Sequence, residues 1–156
     1  MTENTPYVIT IDGPGGSGKG SLALRLAKAL NFHLLDSGAI YRLAALKALR
    51  AGVDIQQQKD VLEVLQDLRI HFENGDDLSI PFLDGEDVSA KIRLETTGDA
   101  ASIIAQYEDV RASLLELQRA FFQPPGLVAD GRDMGTVVFP HARIKFFLYA
   151  SVEIRA

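Results

Sequence analysis

The sequence predicts an α/β fold in which a parallel β-sheet is flanked by helices and carries a small antiparallel α+β insert. Over much of the chain, short apolar runs alternate with segments of helical periodicity. Strand–helix–strand units with short links form parallel sheets. Between residues 62 and 104 the pattern changes to short strands separated by turns, which is typical of an antiparallel meander. With 156 residues, 47% of them hydrophobic, the chain can bury one core.

The first strand–helix–strand unit lies near the N-terminus. Residues 7–11 form an apolar strand, residues 19–30 have helical periodicity, and residues 32–36 form a short second strand. A second helix is predicted over residues 39–51, with Gly52 as its C-terminal cap.

Four polar residues follow the second strand: Asp36, Ser37, Tyr41 and Arg42. Ligands of parallel sheets bind at the carboxyl ends of the strands, so these residues are candidates for a binding site. The alternative for Tyr41 and Arg42 is a place on a solvated helix face.

Between the first strand and the first helix lies a glycine-rich loop of nine residues: Gly13, Pro14, Gly15, Gly16, Ser17, Gly18, Lys19, Gly20 and Ser21. Glycines let consecutive backbone N–H groups turn toward an anion, because no Cβ obstructs its approach. The N-terminus of the following helix attracts the same anion, and Lys19 adds a mobile positive charge. The alternative is an ordinary strand-to-helix turn, but five glycines and a lysine in this context favour a phosphate-binding loop.

The insert begins after a helical stripe of apolar residues near residue 61. Residues 68–72 and 78–83 alternate as strands, and the turns between and after them carry Asn, Gly and Asp. Short helical pieces follow, and we expect Asp99 to cap the last of them, over residues 100–106.

The parallel sheet resumes in the C-terminal third. A helix is predicted over residues 108–122, a buried strand over residues 127–130, another strand over residues 143–149, and the start of a helix at residues 151–156. An apolar strand that ends in an acid, here Asp130, is a feature with which phosphate-binding-loop proteins hold hydrated Mg²⁺.

Composition narrows the classes of partner. The net charge is −5 and the isoelectric point is near 5.1, so we expect no nucleic-acid polymer as partner. The sequence has no cysteine, which fits a reducing cytoplasm. Residues 1–6 lack a basic start and an apolar run, so we expect no signal peptide, and no stretch approaches about 18 apolar residues. We therefore expect a cytoplasmic protein without a membrane partner.

Three motifs together resemble bacterial cytidylate kinase, a P-loop nucleoside monophosphate kinase family. They are the glycine loop with its Lys-Gly-Ser ending, residues 35–42 and residues 130–140. The loop alone marks a large superfamily, whereas the other two motifs are more specific. The resemblance covers the whole chain and implies transfer of the γ-phosphoryl group of ATP to CMP or dCMP, with Mg²⁺ as cofactor.

The resemblance also implies roles for individual residues. The loop from Gly13 to Ser21 would bind ATP, and Lys19 and Arg132 would be catalytic. Mg²⁺ would be held by Ser21 and Asp130, directly or through water. The residues implied to bind CMP are Asp36, Ser37, Tyr41, Arg42, Ser102, Arg111, Arg132 and Asp133. Among them, Tyr41, Arg42 and Arg132 would hold the phosphate, and Ser102, Arg111 and Asp133 would meet the cytosine edge.

The family implies a discontinuous core, residues 1–61 and 105–156, and a nucleotide-binding insert, residues 62–104. Its members continue through an arginine-bearing lid, another strand and closing helices, so we expect little or no turnover from these 156 residues. We expect a monomer in the complete protein and self-association through the strand near residues 143–149 otherwise.

Alternatives to an active cytidylate kinase are a catalytically impaired nucleotide-binding fragment and another small-molecule P-loop kinase. The motif at residues 130–140 argues against a thymidylate or shikimate kinase. A GTPase is disfavoured because the chain has no Asn-Lys-x-Asp guanine motif.

Overall fold

The computed structural model describes residues 7–149. The chain divides into two compact units, which are described separately. The first comprises Met1–Ser37, Asp76–Leu78 and Leu117–Ala156, and the second comprises Gly38–Gly75 and Ser79–Glu116.

The first unit contains a parallel four-stranded sheet with the strand order β2-β6-β1-β7. The strands are β1 (Tyr7–Asp12), β2 (His33–Asp36), β6 (Gly126–Gly131) and β7 (Ile144–Phe147). β6 is buried along its whole length, and β1 is buried except at its first residue. Both strands are apolar runs, as expected for the centre of a parallel sheet covered on both faces. β1, which leads into the glycine loop, lies between β6 and β7.

Helix α1 (Lys19–Leu30) follows β1, with the bounds that the sequence predicts. Ala23 and Ala27 pack with Ile11 and Val128 in a buried cluster, so small residues on the helix bring it close to the sheet. Asn31 ends the helix in the left-handed conformation, at φ 55°.

A π-helical turn over Met134–Val138 lies between β6 and β7, where we predicted no helix. Two of its hydrogen bonds span five residues: Val138 N–H donates to the Asp133 carbonyl at 3.2 Å, and Phe139 N–H donates to the Met134 carbonyl at 2.7 Å. The turn directly follows Arg132 and Asp133, and such turns are often found at functional sites.

The second unit contains the predicted antiparallel meander, with the strand order β3-β4-β5. Its strands are β3 (Ile70–Asn74), β4 (Ser79–Leu83) and β5 (Glu86–Asp87). Its helices are α2 (Ser37–Ala51), which begins at the last residue of a first-unit segment, α3 (Gln58–Leu65), α4 (Ser89–Ile92), α5 (Glu95–Ile104) and α6 (Glu108–Arg119), which ends in the first unit.

The core of the second unit lies between α2 and the meander. Ala39, Leu43 and Leu46 follow one face of α2 and pack against Leu83, Val88 and Ile92. The spacing of the three α2 residues is the helical spacing that forms an apolar stripe.

The helix boundaries need three corrections. Helix α2 begins at Ser37 and not at residue 39, and α6 ends at Arg119 and not at residue 122. Asp99 does not cap a helix, because α5 begins at Glu95 and includes it. The prediction for Asp99 was wrong because aspartate is common at the N-cap of a helix but is also tolerated on an exposed helix face.

Two features of the predicted fold stay predictions. The helix expected at residues 151–156 lies outside the described residues. The family-type division into residues 1–61 and 105–156 with an insert at 62–104 stays a prediction.

Candidate active site

The glycine loop joins the end of β1 to the start of α1. Gly16 and Gly18 adopt left-handed conformations, with φ values of 75° and 83°, which glycine tolerates without a steric penalty. Gly18 is the N-cap of α1, and no side chain caps that helix end. The first backbone N–H groups of the helix therefore remain available to an anion, as a phosphate-binding loop requires.

Lys19 and Asp130 form an ion pair across the sheet edge. Lys19 Nζ lies 3.3 Å from Asp130 Oδ1, and the side chains are 20% and 5% exposed. Asp130 Oδ1 has no hydrogen-bond partner among the described residues, so the contact is mainly Coulombic. Burial, followed by the nearby charge of Asp36, raises the pKa of Asp130 to about 6, although Lys19 opposes the rise.

Three carboxylates stand at the carboxyl ends of adjacent strands. Asp12 ends β1, Asp36 ends β2, and Asp130 is the penultimate residue of β6 and is paired in register with Asp36. The negative charges of Asp36 and Asp12 both raise the pKa of Asp130, because the three carboxyl groups lie close together at this edge of the sheet. Ser37, which follows Asp36, is buried.

A divalent cation would find few protein ligands here. No group of three or more His, Asp or Glu side chains within residues 7–149 has the arrangement of a metal site. The buried Oδ1 of Asp130 is nevertheless an oxygen without a hydrogen bond, and Ser21 is exposed at the start of α1. This donor set fits a cation that keeps several waters and binds mainly substrate phosphates.

Arg132 reaches the glycine loop. A Cβ built on Gly15 would lie 3.6 Å from the Arg132 guanidinium, which places this cation beside the loop. Asp133 is exposed, yet partial burial of its carboxyl group and the charge of Asp12 raise its pKa. The first unit thus brings together the glycine loop, Lys19, Asp36, Ser37, Asp130, Arg132 and Asp133.

The other four predicted residues, Tyr41, Arg42, Ser102 and Arg111, lie in the second unit. Arg42 is half-buried, and its Nη1 donates a hydrogen bond to the Ile92 carbonyl at 2.7 Å. Its guanidinium packs against Gly98, where a Cβ would meet Nη2 at 3.2 Å. Arg42 is therefore held in place and does not lie free on a solvated helix face.

Ser102 lies beside the same glycine. Its Oγ donates to the Gly98 carbonyl at 3.1 Å, so Arg42 and Ser102 both contact Gly98. Arg111 on α6 donates from Nη1 to the Ala105 carbonyl at 2.9 Å and is otherwise exposed. Tyr41 is half-buried on α2.

Sequence reasoning did not single out Asp12 in the first unit or Gly98 in the second. Asp12 accepts hydrogen bonds from the backbone of the π-helical turn, and Gly98 gives the Arg42 guanidinium room. An acid at the end of β1, directly before the loop, is the one local signal that could have drawn attention to Asp12.

A cavity of about 570 Å³ lies elsewhere in the first unit and contains none of the predicted site residues. Its lining includes Val8, Phe122, Phe139, His141 and Arg143. Val8 is near the start of β1 and Arg143 directly precedes β7, so this cavity is at the amino ends of the strands, opposite the glycine loop.

Comparison with known proteins gives a consistent result. The cytidylate kinase family model matches residues 9–156. The chain is 53% identical to the cytidylate kinase of Klebsiella pneumoniae (strain 342) over 156 residues, which is 100% of this chain and 68% of the relative. For the Vibrio cholerae serotype O1 cytidylate kinase the identity is 54%, over 100% of this chain and 69% of the relative.

A third relative, the cytidylate kinase of Paraburkholderia phytofirmans, is 55% identical over 149 residues, which is 96% of this chain and 64% of the relative. The match to the family model and the full-length coverage of this chain agree with the glycine loop and the strand order. The chain belongs to the cytidylate kinase family.

Proposed function

We propose that this chain is a nucleoside monophosphate kinase that transfers the γ-phosphoryl group of ATP to CMP or dCMP, giving CDP or dCDP and ADP. The observation that carries the proposal is the Lys19–Asp130 pair beside an uncapped helix N-terminus and a left-handed glycine loop. Family membership supports the choice of cytidine nucleotides.

The ATP phosphates would bind to backbone N–H groups of the glycine loop from Gly13 to Ser21. Their negative charge would compete with Asp130 for Lys19, whose Nζ already lies at the loop. During phosphoryl transfer, Lys19 would stabilise the negative charge on the transferred group. Stabilisation of this charge is the main way in which a protein accelerates the reaction.

Mg²⁺ would be held by Asp130 and Ser21, directly or through water, together with the phosphates. Bound Mg²⁺ neutralises phosphate charge and orients the oxygens for in-line transfer. Asp130 is suited to this role because its Oδ1 is buried without a hydrogen bond, so a cation would relieve the raised pKa of its carboxyl group.

The CMP phosphate would be held by Tyr41, Arg42 and Arg132. A guanidinium group engages two phosphate oxygens at once, which favours arginine over lysine. Asp36 and Ser37 would line the acceptor site. No general base is required, because the attacking group is already an anionic phosphate oxygen.

The cytosine edge would be read by Ser102, Arg111 and Asp133. Cytosine presents an amino group beside its acceptors, so an aspartate for the amino group and an arginine for the acceptors are complementary to it. Uracil would face Asp133 with an acceptor and leave a carboxylate unpaired, which costs affinity.

The test is calorimetric titration of the chain with ATP and with CMP, followed by assay of CDP formation with Mg²⁺ on a sample of known intact mass. Binding of both nucleotides, with ATP binding weakened in Lys19→Ala, supports the proposal. Failure of CMP to bind, or equal binding of UMP, contradicts it. CDP formation would show in addition that the expectation of little turnover is wrong.

Two further points stay predictions. The structure contains no helix, within the residues it describes, that is long and apolar enough to cross a membrane. The cytoplasmic location and the oligomeric state are expectations from the sequence alone.

A further inference from the structure

The Asp12 carboxylate joins two parts of the first unit. Asp12 is the last residue of β1, directly before the glycine loop, and it is 6% exposed. Its Oδ1 accepts a hydrogen bond from Met134 N–H at 2.8 Å, and its Oδ2 accepts one from Gly135 N–H at 2.9 Å. These N–H groups open the π-helical turn and have no partner inside it, so one side chain satisfies two buried donors.

The anchored residues lie next to predicted substrate-binding residues. Arg132 and Asp133 immediately precede Met134, and the Arg132 guanidinium lies beside Gly15 of the loop. The backbone adds a second link, because Gly13 N–H donates to the Gly131 carbonyl at 3.2 Å. Asp12 therefore fixes the position of the segment that carries Arg132 relative to the loop that follows β1.

A carboxylate at this place has an electrostatic disadvantage. Asp12 raises the pKa of both Asp130 and Asp133, because like charges disfavour ionisation. Asparagine would avoid that repulsion, but its amide has only one acceptor oxygen and would turn an NH₂ group toward the second N–H. Only an acid provides both acceptors with this geometry.

We propose that Asp12 is a positioning residue for phosphoryl transfer: it holds Arg132 and Asp133 in register with the glycine loop and does not itself touch substrate. The inference rests on the proposed function, since it assumes that Arg132 and Asp133 meet CMP.

The test compares Asp12→Asn with the unmodified chain by calorimetric titration. Because the anchored segment carries predicted CMP ligands, we expect the Kd for CMP to rise by about tenfold or more and the Kd for ATP by less than about threefold. The matched control is Thr10→Val. Thr10 lies on the same face of β1, and its buried Oγ1 packs beside Gly135 without a hydrogen-bond partner among the described residues. Thr10→Val therefore keeps the packing against the turn and removes no hydrogen bond to it, so it should change neither Kd.

The variant Val128→Ala tests for a general loss of stability, because the core cluster of Val128 contains none of Asp12, Met134 and Gly135. If Val128→Ala lowers the denaturation midpoint as much as Asp12→Asn does, Val128→Ala should still bind CMP with the affinity of the unmodified chain. Amide hydrogen exchange supplies a readout independent of nucleotides: Asp12→Asn should accelerate exchange at Met134 and Gly135 by about tenfold or more, and the β1–β6 amides should change less.

The outcomes separate the two proposals. If the unmodified chain binds no CMP, the proposed function fails. If the unmodified chain binds CMP but Asp12→Asn binds it equally well, only the positioning role is overturned. Equal losses of CMP affinity in Asp12→Asn and Val128→Ala would also overturn it, because stability alone would then account for the effect.

Discussion

Lys19 Nζ lies 3.3 Å from Asp130 Oδ1, and this pair connects the first residue of α1 to the buried strand β6. The charges of Asp36 and Asp12 raise the pKa of Asp130, and Lys19 lowers it. The balance of charge at this edge should therefore respond to pH, to removal of the lysine and to a phosphate that takes the lysine away from Asp130.

Replacing Lys19 by alanine should weaken ATP binding by tenfold to a hundredfold. The reason is that a charged hydrogen bond to phosphate contributes about 1.5–3 kcal/mol, and about 1.4 kcal/mol corresponds to tenfold. Calorimetric titration with ATP measures the change. Lys28→Ala is the matched control, because Lys28 is exposed in the last turn of the same helix. An unchanged ATP affinity in Lys19→Ala would show that the loop is not a phosphate site.

The contribution of Asp130 to the stability of the chain should fall as the pH rises from about 4 to about 6. The pKa of Asp130 is raised from 3.8 to about 6 in the folded state, so the folded chain binds more protons than the unfolded chain between these values. Above the upper value the ionised, buried carboxyl group costs on the order of 3 kcal/mol, at about 1.4 kcal/mol per pKa unit.

Asp130→Asn removes that cost, so it should be more stable than the unmodified chain at neutral pH, with the difference shrinking toward pH 4. Urea unfolding across this range measures both curves. Parallel curves for the two proteins would contradict the assignment of the pH dependence to Asp130. In titrations with ATP, Mg²⁺ should no longer increase the affinity of the same variant for ATP, because the proposed cation ligand is gone.

Asp133→Ala should weaken CMP binding by about tenfold or more and leave ATP binding nearly unchanged, because the carboxylate is proposed to accept from the cytosine amino group. It should also reduce the preference for CMP over UMP. Since the pKa of Asp133 is raised, CMP affinity should decline on acidification at a higher pH than for an ordinary aspartate. Equal losses for CMP and ATP would contradict the cytosine assignment.

Gly98→Ala should weaken CMP binding severalfold without lowering stability. The new Cβ would lie 3.2 Å from Arg42 Nη2 and 3.4 Å from Nη1, so the guanidinium must move by a few tenths of an ångström, which disturbs its hydrogen bond to the Ile92 carbonyl. Alanine is favoured over glycine within a helix by about 1 kcal/mol, which offsets the crowding. Loss of CMP affinity together with unchanged thermal unfolding would therefore identify a displaced Arg42.

The adjacent substitution Asp99→Ala is the matched control for Gly98→Ala. Asp99 is exposed on the same helix and is not its cap, so its removal should affect neither CMP binding nor stability. Should Asp99→Ala weaken CMP binding as much as Gly98→Ala does, the effect would belong to the helix as a whole and not to Arg42.

The sequence predicted the parts of the site that depend on local patterns. About ten consecutive residues are enough to recognise each of three features: the glycine loop, the bounds of α1 and the acid near the end of β6. Asp12 and the π-helical turn could not be predicted in this way, because Asp12 and Met134 are 122 positions apart and each looks ordinary alone. The role of Gly98 likewise becomes visible only when α2 and α5 pack together in the second unit.

The edge strand β7 leads to a prediction about self-association. Among the described residues β7 pairs only with β1, and it exposes Phe146 and Phe147 to 47% and 55%. An open strand edge with apolar side chains favours pairing with a second copy of the chain. We expect sedimentation velocity to show association that increases with protein concentration.

Phe147→Lys should reduce that association, because a charge at a strand edge opposes edge-to-edge pairing. Leu94→Lys is the matched control, since Leu94 is 55% exposed, as Phe147 is, but lies just before α5 and outside the sheet. Association that both substitutions reduce equally would be due to general surface hydrophobicity. A chain that sediments as a monomer at all concentrations would show that the β7 edge is not a pairing surface under these conditions.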